Sequence, residues 1–121
     1  MLDRQVTFND GIADIYTAEN VAEPGNNPVY KLVNLRELRF AYRTVGAVRF
    51  YIAKQANIEI SKTIIVPRGV PISVHDVVIL KTEDGQESEQ YDIEQVQPKT
   101  DTRPYSVLLS LRRLETVYDF A

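Results

Sequence analysis

The 121-residue sequence, 44% hydrophobic and 26% charged, carries enough apolar side chain for one packed core and too much for a disordered chain. It contains no cysteine, which excludes disulfides and thiolate metal sites. Its net charge of −3 conceals an uneven layout: residues 1–30 hold five acidic and one basic side chain, residues 31–68 two acidic and eight basic, and residues 69–121 ten acidic and five basic.

A basic centre between acidic flanks predicts faces of opposite sign, suited to stacking against copies of the same chain or to lining the path of a polyanion. The plainer reading is a set of basic strands on one side of a sheet. No apolar run approaches the roughly 20 residues that span a bilayer, so no membrane contact is expected. The opening MLDRQVTFND lacks the pattern of a signal peptide, and cytoplasmic folding is expected. The chain contains no repeat and no interdomain linker, and reads as one domain over 1–121.

Strand signals dominate in chain order. In GIADIYTA, Ile12, Asp14, Tyr16 and Ala18 share one face and Ala13, Ile15 and Thr17 the other, a segment apolar on both sides. Residues 23–28, EPGNNP, read as a mobile loop because two prolines and a glycine interrupt any ladder. In LRELRFAYRTV, Leu38, Phe40 and Tyr42 alternate with Glu37, Arg39, Ala41 and Arg43, giving one buried and one basic face. A helical spacing of Leu35, Leu38, Tyr42 and Val45 competes with that strand.

Residues 46–56, GAVRFYIAKQA, fit a short helix better than a strand. In NIEISKTIIVP, Ile58, Ile60, Ile64 and Val66 recur at even spacing until Pro67, which lacks an amide donor, ends the ladder. Residues 76–81 and 91–97 form a predicted hairpin closed by an acidic loop in which Asp84-Gly85 supplies easy positive φ angles. The last strand, residues 105–114, sets Val107, Leu109 and Leu111 against Ser106, Ser110 and Arg112, with Leu108 implying that both sides are covered there. The expected fold is mainly β, a small antiparallel barrel or sandwich with at most one short helix.

Catalytic parts are hard to assemble from this inventory. The single histidine, His75, adjoins Asp76, but neighbours on a strand point to opposite faces and do not form a base and its orienting partner. One histidine without cysteine is a poor start for zinc, and EDGQESE lacks the spacing of a calcium loop, so no catalytic, cofactor or metal residue is assigned. Nucleic-acid contact has more to build on: Arg36, Arg39, Arg43, Arg49 and Lys54 lie near Phe40, Tyr42, Phe50 and Tyr51. Alternation sets Phe40 and Tyr42 opposite Arg39 and Arg43, which favours those rings as core and leaves non-specific contact with duplex.

The runs GAVRFYIAKQANIEI, TIIVPRGVPISVHDVVI and YDIEQVQPKTDTRPYSVLLSLRRLE, with the opening DRQVTF, together resemble the phage head-tail joining proteins, also called head-tail adaptor or head-closure proteins. The likeness rests on the order and spacing of strand patterns, strongest over residues 35–115 and weak over residues 9–34. It implies a small β-barrel subunit of the virion, assembled in the bacterial cytoplasm, that forms a ring below the portal and its adaptor. Such a ring helps retain packaged DNA and docks the tail, with no cofactor and no chemical step.

The resemblance further implies that Arg103, Arg112 and Arg113 are candidate salt-bridge formers between neighbouring subunits, with Arg112 and Arg113 foremost. Arg39, Arg43, Arg49 and Lys54 are expected to face either the DNA channel or the acidic flank of the next copy. Residues 23–28 and 46–56 are the segments expected to change on assembly. Expected partners are further copies of the chain, portal, adaptor and tail proteins, and passing double-stranded DNA held without sequence preference. The alternatives are a small nucleic-acid-binding barrel, and a tail terminator or other minor head protein.

Overall fold

Period-two patterning turns into nine strands in the computed structural model, which describes residues 4–5, 7–43 and 62–121. These are β1 (Arg4–Gln5), β2 (Gly11–Asn20), β3 (Tyr30–Arg43), β4 (Lys62–Pro67), β5 (Val77–Thr82), β6 (Glu87–Lys99), β7 (Thr102–Arg103), β8 (Ser106–Arg113) and β9 (Asp119–Phe120). The fold is mainly β. The helix expected over residues 46–56 lies outside the described residues, as do Ile58 and Ile60.

Six strands bond in the order β2-β5-β6-β8-β4-β3, and β3 pairs back with β2, so the sheet closes on itself. All six contacts in that ring are antiparallel. Closure, rather than a two-sheet sandwich, removes the edges that would otherwise seek foreign strands. The short β9 adds in parallel to β3, and β1 pairs in parallel with β7 outside the barrel.

The interior is filled by alternate residues of every barrel strand: Ala13 and Ile15, Phe40, Ile64 and Val66, Val78 and Leu80, Tyr91 and Ile93, and Val107, Leu109 and Leu111. Phe40 is wholly buried, and burying one such side chain contributes roughly 1.5–3 kcal/mol. The inward choice on β3 follows the predicted Leu38/Phe40 face, which settles the strand against the helical spacing. Ile65, Val77, Ile79 and Leu108 are buried on the outward parity of their strands, so the second apolar face read in residues 105–114 is real.

Two backbone features shape the barrel. Gly11 has φ 147°, and a Cβ there would collide with the Lys81 carbonyl oxygen, so β2 lies against β5 only because the position has no side chain. On β3 the register slips between Ile15 and Thr17 of its partner, and Asn34 takes φ 59°, the left-handed conformation that asparagine tolerates. That irregularity sets apart the outer part of the β2–β3 ladder, where Thr17, Ala18, Glu19 and Asn20 pair with Val33, Leu32, Lys31 and Tyr30. Neither β5 nor β4 pairs with this part, which therefore forms an arm beyond the barrel wall.

Candidate functional site

Each end of the barrel is occupied by a cation. At the end where β2 begins and β3 finishes, Lys62 Nζ sits 5.3 Å from the Tyr42 ring centre and 5.6 Å from that of Tyr91, and Tyr42 packs edge-on to Phe40. At the opposite end Arg36 shares the core face of Leu38 and Phe40. Its guanidinium meets Asp76 Oδ2 at 3.2 Å and Thr17 Oγ1 at 2.9 Å, and it donates to the Pro71 carbonyl at 2.5 Å. The sequence grouped Arg36 with the basic residues suited to nucleic-acid contact. The structure separates it from them, because Arg36 pairs with Ile15, whose side chain points inward.

The other predicted basic residues divide into three groups. Arg39 and Arg43 are exposed on the outward face of β3, and neither has an ion-pair partner among the described residues. Arg43 donates to the carbonyl of Tyr42 at 3.2 Å. Arg112 is engaged by its own chain: its Nη2 lies 3.6 Å from Asp92 Oδ2, and its Nε lies 3.0 Å from Glu94 Oε1, close enough for charge attraction but not aligned as a hydrogen bond. Arg113 likewise meets Glu89 at 3.4 Å. Arg49 and Lys54 lie outside the described residues, as do Phe50 and Tyr51.

His75 sits in the loop before β5, with φ 72°, and its ring faces Asp92 rather than Asp76: Nδ1 is 3.2 Å from Asp92 Oδ2. Asp76 instead accepts the Ser73 amide at 2.9 Å and holds Arg36. The acidic loop between β5 and β6 is a closed turn. Gly85, at φ 87°, donates to the Thr82 carbonyl, and the Thr82 hydroxyl donates to the Asp84 carboxylate, which with the Gln86 amide lowers the Asp84 pKa from its usual 3.8.

Three features had no counterpart in the sequence reading. On the outer face, Asp14 is buried, with Oδ2 2.7 Å from Lys81 Nζ and Oδ1 without a hydrogen-bond partner among the described residues. Hydrogen bonding to Asp14 raises the Lys81 pKa above 10.5, and burial followed by the Asp14 charge raises that of Tyr16 above 10.0.

The second feature is a clamp on the C-terminal segment. The Gln90 side chain donates to the Tyr118 carbonyl at 2.9 Å and accepts the Tyr118 amide at 2.8 Å, as a paired strand would. Phe120 then packs edge-on to Tyr16, with ring centres 5.2 Å apart.

The third is an exposed corner. Tyr105 carries the Arg103 guanidinium 4.3 Å from its ring centre and that of Arg68 at 5.6 Å. Buried hydroxyls of Thr102 and Ser106 bond at 2.8 Å beneath the turn that presents Arg103, Pro104 and Tyr105, and the Arg68 amide donates to the Tyr105 carbonyl. The sequence signal was an Arg-Pro-Tyr run between two strands, which alternation alone does not distinguish from any loop.

No family model matches the chain, and no match is found among curated proteins or solved structures.

Proposed function

We propose that this chain is a head-tail connector subunit of a tailed phage or prophage. It acts as one member of a ring below the portal and adaptor, helps retain packaged double-stranded DNA and docks the tail. The observation that carries this reading is the outward pair Arg39 and Arg43 on β3 of a closed barrel, both exposed and without ion-pair partners among the described residues. Such charges serve a passing polyanion or an acidic neighbour without holding either tightly, because exposed charges are screened within about 8 Å at physiological salt. The order of strand patterns over residues 35–115 supports the same reading, in which Arg112 and Arg113, exposed beside carboxylates of their own chain, remain candidates for salt bridges to a neighbouring subunit.

Deleting the gene from the genome that carries it is expected to leave heads that lose DNA and tails that stay unjoined, as counted by electron microscopy. Charge reversal at Arg39 and Arg43 together is expected to reproduce the DNA loss in part. Filled heads with joined tails in the deletion strain would falsify the connector role. Tails of abnormal length beside filled heads would assign the chain to tail termination instead.

The Arg68, Tyr105 and Arg103 corner favours a second reading, a nucleic-acid-binding barrel, because an exposed ring beside cations suits base stacking. That reading requires the free chain to bind single-stranded oligonucleotide with an affinity that falls as salt rises.

A further inference from the structure

We propose that the β2–β3 arm of one copy docks on the Arg68, Tyr105 and Arg103 corner of the next, making the head-to-tail contact from which the ring is built. The inference rests on the ring reading above and names the surfaces that close it.

The arm is preformed. The Val21 amide donates to the Val29 carbonyl at 2.8 Å, and Asn20 Oδ1 accepts the amides of Ala22 and Val29, each at 3.1 Å. At its tip, Pro24 and Gly25 form the centre of a turn closed from Asn26 to the Glu23 carbonyl, with Gly25 at φ 88°. The stretch expected as a mobile loop is thus internally hydrogen-bonded, and a preformed element loses little ordering entropy on binding. It nonetheless leaves large apolar side chains uncovered: Val21 is 46%, Val29 47% and Tyr30 51% exposed. On the same arm Glu19 and Glu23 are exposed and have no ion-pair partner among the described residues.

The corner offers the matching chemistry. Tyr105 presents an exposed ring for Tyr30 and the valines, Pro104 beside it is also exposed, and Arg68 and Arg103 place guanidinium groups at its border. Tyrosine and arginine are the residue types that most often dominate interface energetics, and carboxylates opposite guanidiniums fix orientation.

Placement leaves room for a head-to-tail contact. Arm and corner lie at the same end of the barrel, where β2 and β4 finish and β3 and β8 begin. They lie at different places on its rim: the arm continues β2 and β3, whereas Arg103 and Tyr105 precede β8, which is separated from β3 by β4. Where each copy turns its arm to one neighbour and its corner to another, the contact propagates and a suitable rotation closes it into a ring. Two copies that exchange arm for corner reciprocally would stop at a two-fold dimer, and adducts confined to such a dimer overturn the ring contact.

The test uses the full chain with a photoreactive benzoylphenylalanine at position 30, at millimolar concentration, mixing isotopically heavy and light copies so that mass spectrometry identifies inter-chain adducts. Adducts from position 30 to residues 68 or 103–105 of the other copy are expected. Reversing Glu19 and Glu23 to arginine, or Arg68 to glutamate, should lower their yield by about ten-fold, the scale of one close interfacial charge pair. The combined reversal should restore it. All these side chains are exposed, so unchanged thermal unfolding is expected to accompany each variant.

Absence of adducts at those residues, or yields indifferent to charge reversal, overturns the proposal. Inter-chain adducts mapping elsewhere remove the arm contact and leave the ring reading standing. The expected adducts from a protein whose deletion leaves particles intact keep the contact and remove the phage reading. If the chain binds oligonucleotide, Tyr105→Ala weakens that binding, and no adducts form at these residues, the corner belongs to nucleic acid and the proposal fails.

Discussion

Arg36 and Asp76 meet at 3.2 Å at the end of the barrel, with side chains only 12% and 9% exposed. Their pairing joins the core face of β3 to the loop ahead of β5. A carboxylate and a guanidinium removed from water together need each other more than they strengthen the fold, because the attraction largely offsets their desolvation. Removing one partner strands the other.

Asp76→Ala is therefore expected to destabilise the protein by about 3–5 kcal/mol, the cost of an unpaired buried charge. The double substitution Arg36→Met with Asp76→Ala should cost less than Asp76→Ala alone. Urea unfolding midpoints of the three variants measure this; a double variant less stable than the single one would mean that Arg36 keeps adequate partners in Pro71 and Thr17.

The Asp14 and Lys81 pair predicts an alkaline transition. Lys81 has its folded pKa raised above 10.5 and Tyr16 above 10.0, so both favour the protonated form in the folded state. Their contribution is complete below those ordinary values and is lost as pH rises through the folded ones. Stability should hold through neutral pH and fall from about pH 10 upward. Lys81→Met should flatten the decline, and a profile identical to the parent's would show that the pair does not control it.

Gln90 holds the C-terminal segment by two hydrogen bonds to one residue. Gln90→Ala should speed amide exchange at Tyr118 and Ala121, the latter bonded to the Leu32 carbonyl, while core amides of β5 and β8 stay protected. The expected stability loss is about 1–3 kcal/mol. If Tyr118 remains protected in the variant, the clamp is dispensable and β9 alone retains the segment.

Gly11→Ala tests the closeness of β2 to β5. A methyl group there meets the Lys81 carbonyl and requires a positive φ that alanine resists, so a loss of about 2 kcal/mol or more is expected. Gly69→Ala meets no atom within 4 Å and carries only the cost of its φ of 123°. Thermal unfolding of the two variants should rank Gly11→Ala well below Gly69→Ala.

What the sequence determined by itself is local. Period-two spacing placed Leu38 and Phe40 inward and Arg39 and Arg43 outward, and the Asp84-Gly85 pair located the β5–β6 turn, because pleating and turn geometry depend on adjacent residues alone. Arg36 also follows the inward parity of Leu38, yet its company of other arginines concealed its partner, Asp76, forty positions away. Only the tertiary structure decided such pairings: Arg112 beside Asp92, Lys81 on Asp14, two arginines about Tyr105, and β3 returning to β2 to close a barrel rather than a sandwich. Each depends on the register between strands distant in the chain, which is set by the packing of the whole core and by the slip at Asn34, and no short stretch of sequence contains that information.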